Sequence, residues 1–363
     1  MRPLDLVIEP EPGNATEAGG ILNPAGARGP DGHLYLFPRL VAKGNYSRIG
    51  IARVQFDSSG EPCDIERLGI ALEPEMPYEL RPDGGGCEDP RVTYVEPLER
   101  YVMTYTAFSP FGPRIALAFS YDLMHWERLG LATFEPYEGI HFDGVDNKDA
   151  AMFPLAVPNP SEQLELAILH RPLFPGTLPE DTMLMEEDRD IDLHRESIWI
   201  SYTPAVPSDV PYPLAHFTSH HRLAAPVSDW ELLKIGSGAP PVMTKHGWLF
   251  IYHGVADVAA PDSDAHQLTY SAGVMVLAKD HPQELLYRST HPVLSPQPSM
   301  GPRGTPSNVV FPTAIDRRDD IGEPDRLDVY YGMNDFRIGV ARLDVPPTLP
   351  LTGEADPPAS QTR

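Results

Sequence analysis

The chain has 363 residues with 28 basic against 52 acidic side chains, and its formal charge of −24 argues against nucleic acid and anionic membranes as partners, since both are polyanions. Its 42 prolines and 29 glycines, spread along the whole length, exclude a fold of long helices and point to short strands joined by turns. No apolar run reaches the roughly 18 residues of a membrane span, and Met1-Arg2-Pro3-Leu4-Asp5 lacks the order of a signal peptide, so a cytoplasmic protein is expected.

Taken in chain order, an aromatic-rich strand recurs five times: His33 to Arg39, Tyr101 to Thr106, Leu164 to Arg171, Trp248 to His253 and Leu327 to Gly332. Each is followed by a second strand: Arg48 to Val54, Arg114 to Ser120, Ser197 to Tyr202, Tyr270 to Val276 and Arg337 to Leu343. Three of these share the spelling Arg-Ile-(Gly/Ala)-x-Ala. The short runs Trp126 to Leu129 and Trp230 to Leu233 fit a third strand. Small antiparallel sheets repeating in this way predict an all-β fold, a five-bladed β-propeller over residues 1–345 with loops converging on a central pocket, followed by a partly mobile tail over 346–363. A two-sheet sandwich would give no reason for strands to recur in pairs.

Two acidic segments interrupt the repeat, Leu173 to Glu196 and Ala256 to Gln267. They read as solvated loops whose length leaves room for a lid or a homo-oligomer contact. Cys63 and Cys87 have no metal-ligand spacing and read as ordinary thiols. His220 and His221 read as polar loop surface.

The residues at or just beyond the ends of the first strands are Arg39, Thr106, His170 with Arg171, His253 and Asp335. None is an apolar filler, and a shared position in the repeat directs them to one site. The stretch Gly84-Gly85-Gly86-Cys87-Glu88-Asp89-Pro90-Arg91 places a carboxylate between a permissive triple glycine and a rigid proline, ahead of the strand-like Val92 to Val95. It is either a catalytic acid or a tight turn with a local Asp89 to Arg91 ion pair. Lys148, Arg171, Lys234 and His253 could together receive an anion such as phosphate, Arg by forked hydrogen bonds and Lys as a point charge. No nucleophile elbow, Walker loop or His-Glu-x-x-His is present, so triad hydrolysis, nucleotide hydrolysis and metalloproteolysis have no starting point.

In order along the chain, Gly85-Gly86-Cys87-Glu88-Asp89-Pro90-Arg91, Asn147-Lys148-Asp149-Ala150, His170-Arg171-Pro172, Lys234-Ile235-Gly236-x-Gly238, Trp248-Leu249-x-Ile251-Tyr252-His253-Gly254 and Tyr330-Tyr331-Gly332-x-x-Asp335 resemble glycoside hydrolase family 130, the β-mannoside phosphorylases and related β-mannosidases. The resemblance runs from about Asn23 to Leu343 and implies the same five-bladed propeller. It implies phosphorolysis of a non-reducing-end β-mannoside with inversion to α-mannose 1-phosphate, with inorganic phosphate as co-substrate and no metal or other cofactor. A mannose-containing oligosaccharide, β-1,2-mannobiose or a β-1,2-oligomannan, is the preferred substrate. By resemblance Asp89 is the proton donor, acting through the mannose 3-hydroxyl. Lys148, Arg171, Lys234 and His253 hold phosphate; Asn23, Arg39, Glu88, Asp149 and Asp335 bind the sugar. One departure is Lys148, where many family phosphorylases carry Arg. It keeps the charge and loses the fork. The alternatives are an inverting β-mannosidase with a Glu from the acidic loops as base, for instance within Glu186 to Asp190, and a non-catalytic glycan-binding propeller.

Overall fold

A computed structural model describes residues 1–137, 139, 141–174, 195–205, 215–259, 266–297 and 308–350. The Glu186 to Asp190 run, the Pro261 to Asp264 stretch and the tail from residue 351 lie outside the described residues.

The strands form five four-stranded antiparallel blades. Blade 1 runs outward through Gly20–Arg28, Leu34–Ala42, Tyr46–Phe56 and Pro62–Leu72. Blade 2 follows with Gly85–Val95, Arg100–Ser109, Gly112–Ser120 and Glu127–Leu131. Blade 3 comprises Asp146–Met152, Leu164–Leu173, Ile198–Pro204 and His216–Ala224. Blade 4 comprises Lys234–Ser237, Gly247–Ala259, His266–Leu277 and Leu285–Arg288. Blade 5 takes Asn308–Arg317, Arg326–Met333 and Arg337–Asp344 from the C-terminal part and its outermost strand, Arg2–Ile8, from the N-terminus. The two ends of the chain thereby close the ring. The protein is a five-bladed β-propeller.

The core explains why the recurring strands are apolar on both faces. Each blade is a sheet covered on two sides, so its middle strands cannot afford a wet face. The buried side chains fall into five clusters, one between each neighbouring pair of blades. Between blades 3 and 4, Phe153 meets Trp248 edge to face with ring centroids 5.2 Å apart. Between blades 5 and 1, Tyr330, Ile338 and Val340 pack on Ile21, Leu36 and Val54. Each such large side chain contributes roughly 1.5–3 kcal/mol on burial.

A second repeat is polar. In blades 1, 2 and 4 a buried Glu in the turn before the blade is bound by an Arg from that blade's outermost strand. The pairs are Glu17 with Arg67 Nε at 2.8 Å, Glu79 with Arg128 Nε at 2.9 Å, and Glu231 with Arg288 Nη2 at 2.6 Å. In blades 2 and 4 a second-strand tyrosine, Tyr105 or Tyr252, donates to the same carboxylate.

Three expectations change. The strands read as first in each pair are second from the axis; an innermost strand precedes each of them. Asp89 lies inside the innermost strand of blade 2, which begins at Gly85 rather than at Val92. Trp230 to Leu233 is not a strand: Asp229–Glu231 is a 3-10 turn closed by a capping box with Ser228. The Glu231 amide donates back to the Ser228 carbonyl at 3.0 Å while its carboxylate accepts from the Val227 and Ser228 amides, so the chain closes on itself here instead of extending.

Candidate active site

The innermost strands of blades 1, 2 and 3 share a defect that builds the centre. Their ladders slip between Leu22 and Ala25, between Glu88 and Arg91, and between Lys148 and Ala151. At each slip one residue takes a left-handed backbone: Asn23 with φ 44°, Asp89 with φ 45° and Asp149 with φ 57°. Asn and Asp tolerate this region better than other side chains, and a bulge re-aims the residue it carries. Pro24 and Pro90 follow the first two and fix the exit of the chain. The triple glycine serves the same geometry. Gly84, Gly85 and Gly86 all have positive φ, and a Cβ on Gly86 would stand 2.2 Å from the Ser47 carbonyl of blade 1.

One side of the centre is acidic. Asn23 Nδ2 donates to Asp89 Oδ1 at 2.8 Å, and Arg39 Nη1 donates to the same oxygen at 3.2 Å. Arg39 also gives Nη2 to Glu88 Oε1 at 2.8 Å and Nε to Ser47 Oγ at 2.9 Å. Among the described residues nothing donates to Asp89 Oδ2. Burial raises the Glu88 carboxyl above its usual range; Asp89 adds to this, and Arg39 opposes it. Burial also raises Asp335, with the Asp89 charge adding to the effect. Arg91 does not pair with the Asp89 carboxylate. Its Nη1 donates to the Asp89 carbonyl at 2.9 Å, while Nε and Nη2 reach the Gly238 and Ser237 carbonyls of blade 4 at 3.1 and 3.0 Å. It is a buried tie across the axis, and the local ion-pair reading is overturned.

The other side is cationic. Lys148 and Arg171 sit opposite each other in register on blade 3. Asp149 Oδ2 receives Arg171 Nε at 2.6 Å and lies 3.5 Å from His253 Nε2, while Asp149 Oδ1 lies 3.4 Å from Arg91 Nη2. Burial alone would raise Asp149, but Arg171, His253 and Arg91 outweigh it and hold the carboxyl well below the usual range. The lysines feel the reverse. Burial, then repulsion from Arg171, lowers Lys148; burial, then Arg171 and Lys148, brings Lys234 down to about 8. Gly236 makes room for this packing, since a Cβ there would meet Asp149 Oδ2 at 2.3 Å and His253 Nε2 at 2.7 Å. His253 is wholly buried, with Phe311 4.4 Å away, and burial pushes it well below the usual imidazole value. Neither of its ring nitrogens has a hydrogen-bond partner among the described residues. The structure thus brings Lys148, Arg171, Lys234 and His253 around Asp149, facing Asn23, Arg39, Glu88, Asp89 and Asp335.

His170 leaves the group. It turns into the wall between blades 2 and 3, stacked on Phe134 at 4.5 Å, and begins a chain of hydrogen bonds. Its Nε2 is 2.7 Å from Ser201 Oγ, Ser201 Oγ is 2.7 Å from His220 Nδ1, and His220 Nε2 is 2.8 Å from the Glu135 carbonyl. A carbonyl only accepts, so His220 carries its proton on Nε2 and Nδ1 accepts from Ser201. Ser201 then accepts from His170 Nε2, and His170 Nδ1 accepts from Asn147 Nδ2 at 3.0 Å. Burial keeps both rings neutral at ordinary pH, with His220 down to about 4. His220 is therefore a buried strand residue that supports the segment carrying Lys148 and Arg171, not polar loop surface.

A family model described as beta-1,4-mannooligosaccharide phosphorylase matches residues 3–352. The chain belongs to glycoside hydrolase family 130. This family 130 enzyme is 29% identical over 345 residues to a 1,2-beta-oligomannan phosphorylase from Thermoanaerobacter sp. (strain X514), covering 93% of this chain and 95% of that protein. It is 26% identical over 287 residues to a beta-1,4-mannooligosaccharide phosphorylase from Ruminococcus albus, covering 79% and 71%. Its fold matches beta-1,2-mannobiose phosphorylase from Listeria innocua in complex with beta-1,2-mannobiose at a TM-score of 0.66 and 22% identity, over 93% and 94% of the two chains.

Several central residues of the family 130 enzyme escaped the sequence reading. Arg91 was legible only as a neighbour of Asp89, because its partners lie about 147 positions away. Ser237, whose hydroxyl donates to the Asp149 carbonyl, carries no local signal. Glu196 read as the end of a solvated acidic loop. Its carboxylate in fact pairs with Arg171 Nη1 and lies 4.0 Å from Lys234 Nζ.

Proposed function

We propose that the protein is an inverting phosphorylase of non-reducing-end β-mannosides that releases α-mannose 1-phosphate, within one catalytic unit over residues 1–345. The observation that carries this is the gathering of Lys148, Arg171, Lys234 and His253 opposite Asp89, more buried positive charge than Asp149 alone can match and suited to a phosphate dianion. An inverting hydrolase needs two carboxylates, an acid and a base set back to admit water; phosphorolysis needs only the acid, because phosphate is the nucleophile. In this reading Asp89 supplies the proton to the departing glycosidic oxygen through the mannose 3-hydroxyl. Asn23 and Arg39 hold its Oδ1 and leave Oδ2 for the sugar. Glu88 and Asp335 take sugar hydroxyls, and Asp149 fixes the cations rather than touching the reacting atoms. Lys148, Arg171, Lys234 and the unpartnered His253 receive phosphate and align it on the face opposite the leaving group.

A β-1,2-mannobiose or β-1,2-oligomannan is the preferred substrate: the relatives at 29% and 28% identity are named for β-1,2 linkages, against one at 26% named for β-1,4. The test is to mix enzyme with β-1,2-mannobiose, with and without inorganic phosphate. Phosphate-dependent appearance of α-mannose 1-phosphate is expected. Mannose release at the same rate without phosphate would replace phosphorolysis by hydrolysis, and no turnover of either kind would leave a glycan-binding propeller.

A further inference from the structure

Neighbouring blades are stitched where the third strand of one meets the innermost strand of the next. Tyr46 and Ser47 pair in parallel with Gly85 and Gly86, Thr269 and Tyr270 with Asn308 and Val309, and Glu196 with Lys234. These joints line the rim of the centre. Ser47 contacts Glu88, and Tyr270 stands 5.7 Å from Lys234 Nζ. Glu196 occupies the corresponding joint between blades 3 and 4. Its carbonyl accepts from the Ile235 amide at 3.1 Å, so its backbone is pinned although its side chain is not.

Arg171 has two carboxylate partners of opposite character. Asp149 holds Nε, is 2% exposed, and also lies 3.4 Å from Arg91 Nη2 of blade 2. Glu196 takes Nη1, and its side chain is 22% exposed. Asp149 cannot leave without stranding a buried guanidinium, whereas Glu196 can swing into water about its own side-chain bonds.

We propose that Glu196 is an internal anion: it holds the seat of the incoming phosphate on Arg171 and Lys234 in the free enzyme, and its displacement sets the phosphate affinity. This rests on the phosphorylase reading and adds a residue to it. A cation as buried as Arg171, 3% exposed, is costly to leave half paired. Glu196 supplies the missing charge until a dianion with more acceptor atoms replaces it. The exchange trades one anion for another, so affinity falls by the strength of the pair it breaks. Weakly binding anions that cannot displace a tethered carboxylate are kept out.

The test is titration of inorganic phosphate into the full-length protein by calorimetry without sugar, paired with phosphate and mannoside KM values. Glu196→Gln keeps the shape and loses the charge. It is expected to bind phosphate about tenfold more tightly, with a matching fall in phosphate KM and an unchanged mannoside KM. Glu196→Asp keeps the charge on a shorter side chain whose carboxylate still reaches Arg171, and it should stay near the parent. Unchanged or weaker phosphate binding in Glu196→Gln overturns the proposal. So does a Glu196→Asp variant that binds phosphate as tightly as Glu196→Gln, since loss of the charge would then not be what frees the seat. A parent that binds no phosphate yet cleaves mannoside sinks the phosphorylase reading as well; a parent that binds phosphate while Glu196→Gln binds no tighter sinks the internal anion alone.

Discussion

Two regions of this propeller bury the same kinds of charge to different ends. At the blade rims the charges are matched. The Glu231 carboxylate accepts from Tyr252 at 2.7 Å, from Arg288 at 2.6 Å and from two backbone amides, and Asp328 is shared by Arg318 and Arg326 at 2.6 and 2.8 Å. At the axis like charges are gathered. Blades 2 and 5 supply Glu88, Asp89 and Asp335, with Arg39 of blade 1 against the first two, while blades 3 and 4 supply Lys148, Arg171 and Lys234 around Asp149. Burial, reinforced by the like charges beside them, raises the Glu88 and Asp335 carboxyls and lowers Lys148 and Lys234. Matched burial stabilises a fold, whereas crowding like charges leaves cations such as Lys148 and Lys234 with repulsion that an anionic ligand can relieve.

That contrast can be broken most sharply at Asp89. Asp89→Asn should reduce turnover by about 10³-fold, the scale of a lost general acid, while the melting temperature stays within about 2 °C of the parent. A large loss of stability with turnover per folded molecule preserved would move Asp89 to the structural class. Glu231→Ala is the mirror experiment at the rim. Removing one member of a buried ionic set should cost about 3–5 kcal/mol of unfolding free energy, measured by denaturant titration, with kcat/KM of the folded fraction unchanged.

The smallest expected effect sharpens the comparison through pH. Lys234 is positive below about 8 and loses its charge above it, so the phosphate KM should rise several-fold as pH increases through that value. Lys234→Arg, which stays charged, should flatten the profile. A parent profile that is flat from pH 7 to 9.5 would remove Lys234 from the anion seat.

The strands that were legible are those whose surroundings are uniform. The second and third strands of each blade lie between two apolar interfaces, so Tyr101 to Thr106 or Arg337 to Leu343 announce themselves by composition alone. The innermost strands did not. Leu22-Asn23-Pro24-Ala25 and Phe311-Pro312-Thr313 carry the residues of turns, because these innermost strands break their ladders where they turn a side chain to the axis. The closing strand Arg2–Ile8 was silent for another reason: its partner lies at the far end of the chain. The polar repeat of Glu17, Glu79 and Glu231 was equally hidden, since each Arg partner lies between 49 and 57 positions away.

By itself the sequence determined that the protein is built of repeated aromatic strands, five times over, and that one acid and a few cations fall at equivalent places in the repeat. Periodicity and composition are local properties, and a linear chain carries them whole. Only the tertiary structure decided which charges meet. It put Arg91 across the axis, withdrew His170 into the wall and set Glu196 on Arg171, because contacts made by ring closure depend on the radial position of each blade and leave no mark on neighbouring residues.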